Sequence, residues 1–338
     1  MPLRVGLIYN EPIPDRYDTM GEAEAIADVL EEVKAVEAAL DELGYQVCKI
    51  GLVPPLEEVR RIVQGMEVDV YFNLFEGFSG CPETEAMVAG MLAATGRPYT
   101  GSQACTLSLA LDKVKTKDLL VAAGIKTPPY QLMRVDEANR FELKFPCIVK
   151  PVGEDASHGL TAESVVVDHE SLARQLSIIC TNYGGVALVE EFIDGRELSA
   201  TIMGNHTPRV LSMSEIVYNL PPGLPPLLTF GAKWTLDDVY FLNTDPVCPA
   251  QIDQALWDHV AATSLRAYRL TGCHGYARVD TRLGTDGKAY VLEVNPNPDI
   301  SYTAGAARQA AAIGLTYAQF IDKIIGLAMS KDEGQSSC

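Results

Sequence analysis

The stretch from Gly275 to Asn295 constrains the chain more than any other. Two β-rich runs flank Asp286-Gly287, the dipeptide that best fits a two-residue type I′ turn. Such a turn pairs Thr285 with Lys288 and places Asp280 opposite Glu293 and Arg278 opposite Asn295. Strand side chains alternate between faces, so these four polar groups share one face, with Val279, Val291 and Val294 on the other. Two carboxylates and an amide oxygen converging there form a hard, oxygen-rich site suited to Mg²⁺ held with a phosphorylated substrate. Arg278 beside them suits a developing oxyanion or phosphoryl charge. A surface hairpin with an Arg–Asp cross-strand pair satisfies the same pattern, and a bulge or longer turn shifts the register.

The totals narrow the partners. A net charge of −18 argues against nucleic acid or an anionic membrane, and a polyanion such as ATP then needs locally placed lysines and metal. With 338 residues, 47% of them hydrophobic, there is core enough for two or three domains. Eight scattered cysteines, with no CxxC pair and no zinc-like His spacing, fit a reducing cytosol better than a disulfide framework. The run from Met1 to Ile8 lacks the features of a signal peptide, and no run of 18 apolar residues occurs. The expectation is a cytoplasmic protein acting on small molecules, with no nucleic acid and no membrane.

Along the chain, Leu3 to Tyr9 reads as a buried strand. A helix follows, with Ile26, Val29, Val33, Val36, Leu40 and Leu43 at helical spacing. A strand from Tyr45 to Leu52, a polar helix and a third strand from Val68 complete a parallel sheet with crossover helices. No GxGxxG follows the first strand, so a dinucleotide site is not expected. The turn cluster Gly96 to Ser102 closes this first domain. One helix is predicted from Thr106 to Ala123, then a strand from Phe145 that delivers Lys150, and a small-residue loop up to Gly159. A strand from Val186 to Phe192 precedes a pairing of Arg196–Met203 with Arg209–Val217, and Leu220 to Pro226 reads as an ordered loop or lid. Helices are predicted from Gln251 to Leu270 and from Ala306 to Met329, with a frayed end after Lys331.

Several segments in order, namely Leu111-Asp-Lys113-Val-Lys-Thr-Lys, Ile148-Val-Lys150-Pro, Glu190-Glu-Phe-Ile-Asp-Gly-Arg-Glu197, Ala277-Arg278-Val-Asp280, Leu292-Glu293-Val-Asn295-Pro and Ala307-Arg-Gln, resemble the ATP-grasp carboxylate–amine ligases. Within them the likeness is to the D-alanine–D-alanine ligase branch, over about Tyr71 to Ala328. The resemblance implies an α/β class with α+β lobes: an ATP-grasp fold behind an N-terminal parallel-sheet pre-ATP-grasp domain. It divides the chain into a Rossmann-like substrate domain (1–104), a central lobe (105–187), a C-terminal lobe with the Mg-binding hairpin (188–330) and a tail (331–338). It implies a homodimer through the N-terminal domain.

Position by position, Lys113 and Lys150 match the lysines that hold ATP phosphates, and Ser157, His158 and Gly159 match the phosphate-covering loop, where the family has Ser, Val and Gly. Glu190, Phe192, Ile193 and Glu197 match the segment that reads adenine and the ribose hydroxyls. Asp280, Glu293 and Asn295 match the Mg²⁺ ligands, with two ions expected, and Arg278 matches the arginine that stabilises the tetrahedral intermediate. Lys233 matches a lysine of the loop that closes over the substrates. The implied chemistry is attack of a carboxylate on the ATP γ-phosphate to give an acylphosphate, then attack of an amine to give an amide, ADP and phosphate.

The departures gather in the substrate pockets. The family's glycine-rich turn after the first strand is Tyr9-Asn-Glu-Pro-Ile-Pro-Asp here, and its His-Gly motif is Glu76-Gly77. Its Asn-Thr-x-Pro-Gly-Met becomes Asn295-Pro-Asn-Pro-Asp299-Ile, and Ala304 stands where a serine binds the acceptor carboxylate, with Ser301, Tyr302 and Thr303 nearby. Trp234 replaces a smaller aromatic ring. These changes point to a substrate pair other than two D-alanines, with Glu76 and Asp299 suiting a cationic or hydroxyl-rich partner. A D-alanine–D-alanine ligase with substituted pockets, an ATP-grasp phosphotransferase and a non-catalytic nucleotide-binding protein are the alternatives.

Overall fold

The computed structural model describes residues 2–12, 29–153 and 157–330. Three sheets carry the chain. Strands β1 (Arg4–Asn10), β2 (Gln46–Leu52) and β3 (Val70–Leu74) lie parallel in the order β2-β1-β3, joined through α1 (Val29–Glu42) and α2 (Leu56–Gly65). Every residue of β3 is buried because both faces of the sheet are covered. Phe72 and Leu74 pack with Val33, Val36 and Leu40 of α1, whereas Tyr71 and Phe75 pack with Val59 and Val63 of α2 and with Val88 of α3 (Thr84–Ala94). The last helix of the chain, Tyr317–Met329, also enters this core through Phe320, Ile321 and Ile324, so the two ends of the sequence share one apolar interior. Ile26 and the tail from Lys331 lie outside the described residues.

The single helix predicted from Thr106 to Ala123 is two, α4 (Ala104–Leu111) and α5 (Lys113–Ala122). Asp112 breaks it with a non-helical backbone (φ −83, ψ 88), and its carboxylate then accepts the Lys115 N–H at 3.0 Å, capping the second helix. Both Lys113 and Lys117 of this second helix are buried.

Strands β4 (Tyr130–Met133), β5 (Cys147–Pro151), β6 (Val165–Val166) and, after α6 (His169–Asn182), β7 (Ala187–Glu191) form an antiparallel sheet in the order β4-β7-β5-β6. The third sheet is β10-β9-β8-β11-β12, built from β8 (Gly195–Met203), β9 (Arg209–Tyr218), β10 (Thr244–Val247), β11 (Tyr276–Gly284) and β12 (Ala289–Asn295). Two short helices, α7 (Phe230–Trp234) and α8 (Val239–Leu242), interrupt the β9–β10 connection. Helix α9 (Gln254–Leu270) covers the apolar face of this sheet, and α10 (Gly305–Ala312) leads into α11 (Tyr317–Met329).

The hairpin reaches the expected register by an unexpected route. A type I′ turn needs positive φ at both central residues, but of Asp286 and Gly287 only Gly287 has it (φ 75). Gly287 N–H bonds to the Gly284 carbonyl and Gly284 N–H to the Lys288 carbonyl, closing a three-residue loop that slips the pairing by one, to Leu283↔Ala289. A bulge then leaves Leu292 without a partner and restores Asp280↔Glu293 and Arg278↔Asn295. The bulge also turns Val291 into the core, where it is fully buried.

Candidate active site

The solvent-side face of the third sheet is a row of charge. From β11 it takes Arg278, Asp280 and Arg282; β8 sets Glu197 opposite Arg282 and Ser199 opposite Asp280; β12 adds Glu293 and Asn295. Arg278 pairs along its own strand: Nε donates to both Asp280 carboxylate oxygens at 3.0 Å, Nη2 lies 2.8 Å from Asp280 Oδ2, and Glu293 Oε1 is 3.8 Å from Nη2. Burial pushes the Asp280 carboxyl up, but the Arg278 charge and hydrogen bonds hold it below the usual range. Among the described residues no three His, Cys, Asp or Glu side chains gather as a ligand set. A divalent ion here would therefore be held by Asp280, Glu293 and the Asn295 amide oxygen, with substrate phosphate completing its shell. That all-oxygen, ligand-poor set fits Mg²⁺. Asn295 Oδ1 accepts one bond, from Asn297 N–H at 3.0 Å, and keeps a second lone pair.

The central sheet presents cations. Lys117 is 1% exposed; its ammonium donates to Thr127 Oγ1 at 2.5 Å and lies 2.9 Å from Glu190 Oε1, while Lys150 Nζ lies 3.0 Å from Glu190 Oε2. Burial lowers the Lys117 pKa to about 8, against the opposing pull of Glu190. Burial raises Glu190, and the two lysines together bring it below the ordinary carboxyl value. Two ammonium groups thus share one carboxylate, leaving a positive surplus of the kind a phosphate chain offsets. Glu293 contributes to the field at Lys117, so lysine cluster and hairpin act on the same space. Sequence reasoning placed Lys113 and Lys150 but not Lys117, which stands one helical turn after Lys113 in the same segment.

The loop that carries Ser157–Gly159 and the segment around α7 meet. Ser157 (φ 64) is, among the described residues, the one non-glycine in the left-handed region, and Gly159 follows at φ 72, where a Cβ would meet the Tyr183 ring at 2.9 Å. Phe230 N–H donates to the Leu160 carbonyl at 3.0 Å, and the His158 and Phe230 rings lie 5.5 Å apart. Trp234 stands 6.3 Å from Phe230 at the other end of α7, which Thr229 caps through the Ala232 N–H. Lys233, on the same helix, has its pKa lowered by burial and then by Arg278, with Glu293, Asp280 and Glu197 opposing. It therefore sits in the field of the hairpin. A cavity of about 520 Å³ lies between Gly159–Glu163 and the lid from Leu224 to Tyr240.

The buried Tyr276 hydroxyl is pushed well above its ordinary pKa by burial and then by Glu32, Glu76, Tyr317 and Glu85. Asn297 ties these parts together, donating to the Phe75 carbonyl at 3.3 Å and to Glu85 Oε1 at 3.0 Å. Asp299 closes its own turn, accepting from Ser301 N–H at 2.7 Å and Ser301 Oγ at 3.1 Å, and its charge reaches Arg278 and Arg308. Tyr302 is exposed and lies 4.1 Å from the Tyr317 ring. Glu32, Glu85, Asn297, Tyr276 and Arg282 were not legible as site residues, since each owes its place to a neighbour distant in the chain.

Two antiparallel sheets that meet over lysines on one side and carboxylates on the other define an ATP-grasp enzyme. The family model described as D-ala D-ala ligase C-terminus matches residues 119–326. The D-alanine–D-alanine ligase of Desulforudis audaxviator is 32% identical over 308 residues, covering 88% of this chain and 92% of the relative. The Sinorhizobium fredii protein y4sG is 35% identical over 303 residues, covering 87% and 86%. The fold matches the Bacillus anthracis D-alanine–D-alanine ligase complexed with ATP at a TM-score of 0.75, with 22% identity over 97% of each chain. It matches the Enterococcus faecalis VanG D-Ala:D-Ser ligase, also at 0.75, with 20% identity over 97% of this chain and 100% of that one. The chain belongs to the D-alanine–D-alanine ligase family and is an ATP-dependent carboxylate–amine ligase of that type. Among the described residues no single helix is long and apolar enough to cross a membrane.

Proposed function

We propose that the protein joins a carboxylate to an amine through an acylphosphate, with a substrate pair other than two D-alanines. A substrate carboxylate oxygen attacks the γ-phosphorus and ADP leaves with the bridging oxygen. The amine then attacks the acyl carbon, phosphate departs, and the nitrogen gives up a proton. Lys113 and Lys150 hold the phosphates, the Ser157–Gly159 backbone covers them, and Glu190, Phe192, Ile193 and Glu197 take adenine and ribose. Asp280, Glu293 and Asn295 would hold magnesium, as two ions, which would supply charge neutralisation on the transferring phosphoryl group. Arg278 stabilises the oxyanion of the tetrahedral intermediate, and Lys233 closes over it from the lid. Glu76, Trp234, Asp299, Ser301 and Tyr302 border the organic substrates. The working form is a homodimer through the N-terminal domain, which light scattering tests.

What supports the changed specificity is the set of pocket departures at Glu76, Trp234, Asp299 and Ala304, where the family carries other residues. Carboxylates at Glu76 and Asp299 suit a substrate with an added positive charge or several hydroxyls better than the small apolar side chain of alanine. Relatives named D-alanine–D-alanine ligase, at 32% identity, favour the second reading, two D-alanines. ADP release with Mg-ATP, first on D-alanine alone and then on pooled carboxylates and amines, separates the two when products are read by mass spectrometry. Silence on D-alanine and a product mass of acid plus amine minus water supports the proposal. Efficient formation of the D-alanine dipeptide refutes it, and ADP with only a phosphorylated acid makes the protein a phosphotransferase.

A further inference from the structure

One buried arginine has no part in the roles above. Arg282 is 3% exposed and lies two residues beyond Asp280 on the charged face, directly across from Glu197. Its Nη2 donates to Glu197 Oε2 at 2.8 Å and to the Pro226 carbonyl, its Nη1 donates to the Ile193 carbonyl at 3.1 Å, and its guanidinium carbon stands 4.7 Å over the Phe192 ring. The Tyr218 hydroxyl donates to the same Glu197 oxygen at 2.8 Å. One planar fork therefore touches Phe192 and Ile193, Glu197, and the start of the lid.

We propose that Arg282 is a positioning residue for the nucleotide ribose. It acts through Glu197 and, by way of Pro226, links the occupied nucleotide floor to the lid. The inference rests on Glu197 facing the ribose. Two donors on Oε2 fix the carboxylate's rotamer, which directs Oε1 to an outside donor such as a ribose hydroxyl. Two guanidinium nitrogens diverging to three acceptors while the central carbon stands over a ring is a task for arginine; a lysine ammonium has neither the fork nor the plane. A purely structural arginine would instead neutralise Glu197 and hold the strands, with no bearing on which sugar is bound.

The test uses the full chain and needs no acid or amine substrate. Dissociation constants for Mg-ATP and Mg-2′-deoxy-ATP are measured by calorimetry for wild type, Glu197→Gln, Arg282→Met, Arg282→Lys and Tyr218→Phe. Wild type is expected to favour ATP by about tenfold, the worth of one hydrogen bond to a charged group. Glu197→Gln and Arg282→Met should each bring that ratio towards one, Arg282→Lys should not restore it, and Tyr218→Phe should lower it part of the way. Tyr218→Phe removes one oxygen and keeps the test decisive if Arg282→Met fails to fold. A collapsed ratio in Glu197→Gln with an intact ratio in both Arg282→Met and Tyr218→Phe overturns the role of Arg282. An unchanged ratio in Glu197→Gln removes the ribose role of Glu197 itself and the proposal with it.

Discussion

Gln309 offers the sharpest test of how the charged face is held. It lies on α10 with no exposed surface and binds strand β8 from the face that carries Met203 and Tyr276. Its Oε1 accepts the Thr201 N–H at 2.6 Å, and its Nε2 donates to the Ser199 carbonyl and to Ser214 Oγ, each at 3.0 Å. The β8–β9 register shifts between Ala200 and Ile202, which takes the Thr201 N–H out of the ladder, and Gln309 satisfies it from 108 residues away. Gln309→Leu keeps the bulk and leaves a buried N–H, a carbonyl and a hydroxyl without that partner. At about 1–3 kcal/mol for each stranded group, discounted because the serine hydroxyl can rotate to another acceptor, the expected loss is about 3 kcal/mol. With an unfolding entropy of about 2.1 cal/mol/K per residue over a chain this large, that lowers the melting temperature by roughly 4 °C in scanning calorimetry. Ser199 and Thr201 stand opposite Asp280 and Arg278, so Mg-ATP affinity should fall alongside. A melting temperature within about 2 °C of wild type would refute the bonding scheme, because no surplus of packing can hide three stranded polar groups.

The other predictions concern the nucleotide and the lid. Lys117, with a pKa near 8, is charged below that pH and neutral above it. An anionic ligand favours the charged form, so Mg-ATP affinity should weaken as pH rises through 8, and Lys117→Met should bind more weakly at pH 7 and lose that inflection in calorimetric titrations. Lys150→Ala should abolish ATP turnover, and Glu293→Ala should raise the Mg²⁺ concentration needed for half-maximal ADP release severely; full activity in either would mean the site map is wrong. The 5.5 Å contact between His158 and Phe230 predicts that His158→Ala and Phe230→Ala are non-additive in kcat, with a coupling of about 1 kcal/mol in a double-mutant cycle and His158→Phe restoring the contact.

Much of the site could be read before any coordinates. Asp280, Glu293, Arg278 and Asn295 were placed opposite one another by period-two alternation, and the parallel N-terminal sheet by alternating strand and helix patterns. The hairpin pairing came out right although the turn did not: a three-residue loop and the bulge at Leu292 cancel. Alternation reports which face a residue takes, but the count of residues in a turn depends on φ at one position, here Asp286. The break at Asp112 was legible in principle, since an aspartate ahead of a helical run is a cap signal, but helix-forming residues on both sides of it hid the break. Helix α6 carried the same kind of signal at Asp168, followed by Leu172, Leu176 and Ile179 at helical spacing.

By itself, then, the sequence determined the local elements, the charged face of the hairpin and the order of the motifs that mark the family, because each depends on neighbours within a few residues. Tertiary structure alone decided which distant groups satisfy each buried charge. Lys117 from α5 and Lys150 from β5 converge on Glu190 of β7, and Arg282 of β11 meets Pro226, 56 residues earlier in the chain. Tyr276 gathers Glu32, Glu76 and Glu85 because the N-terminal sheet docks against the end of the hairpin. A buried polar group must find a partner somewhere, and packing, not spacing along the chain, chooses which one.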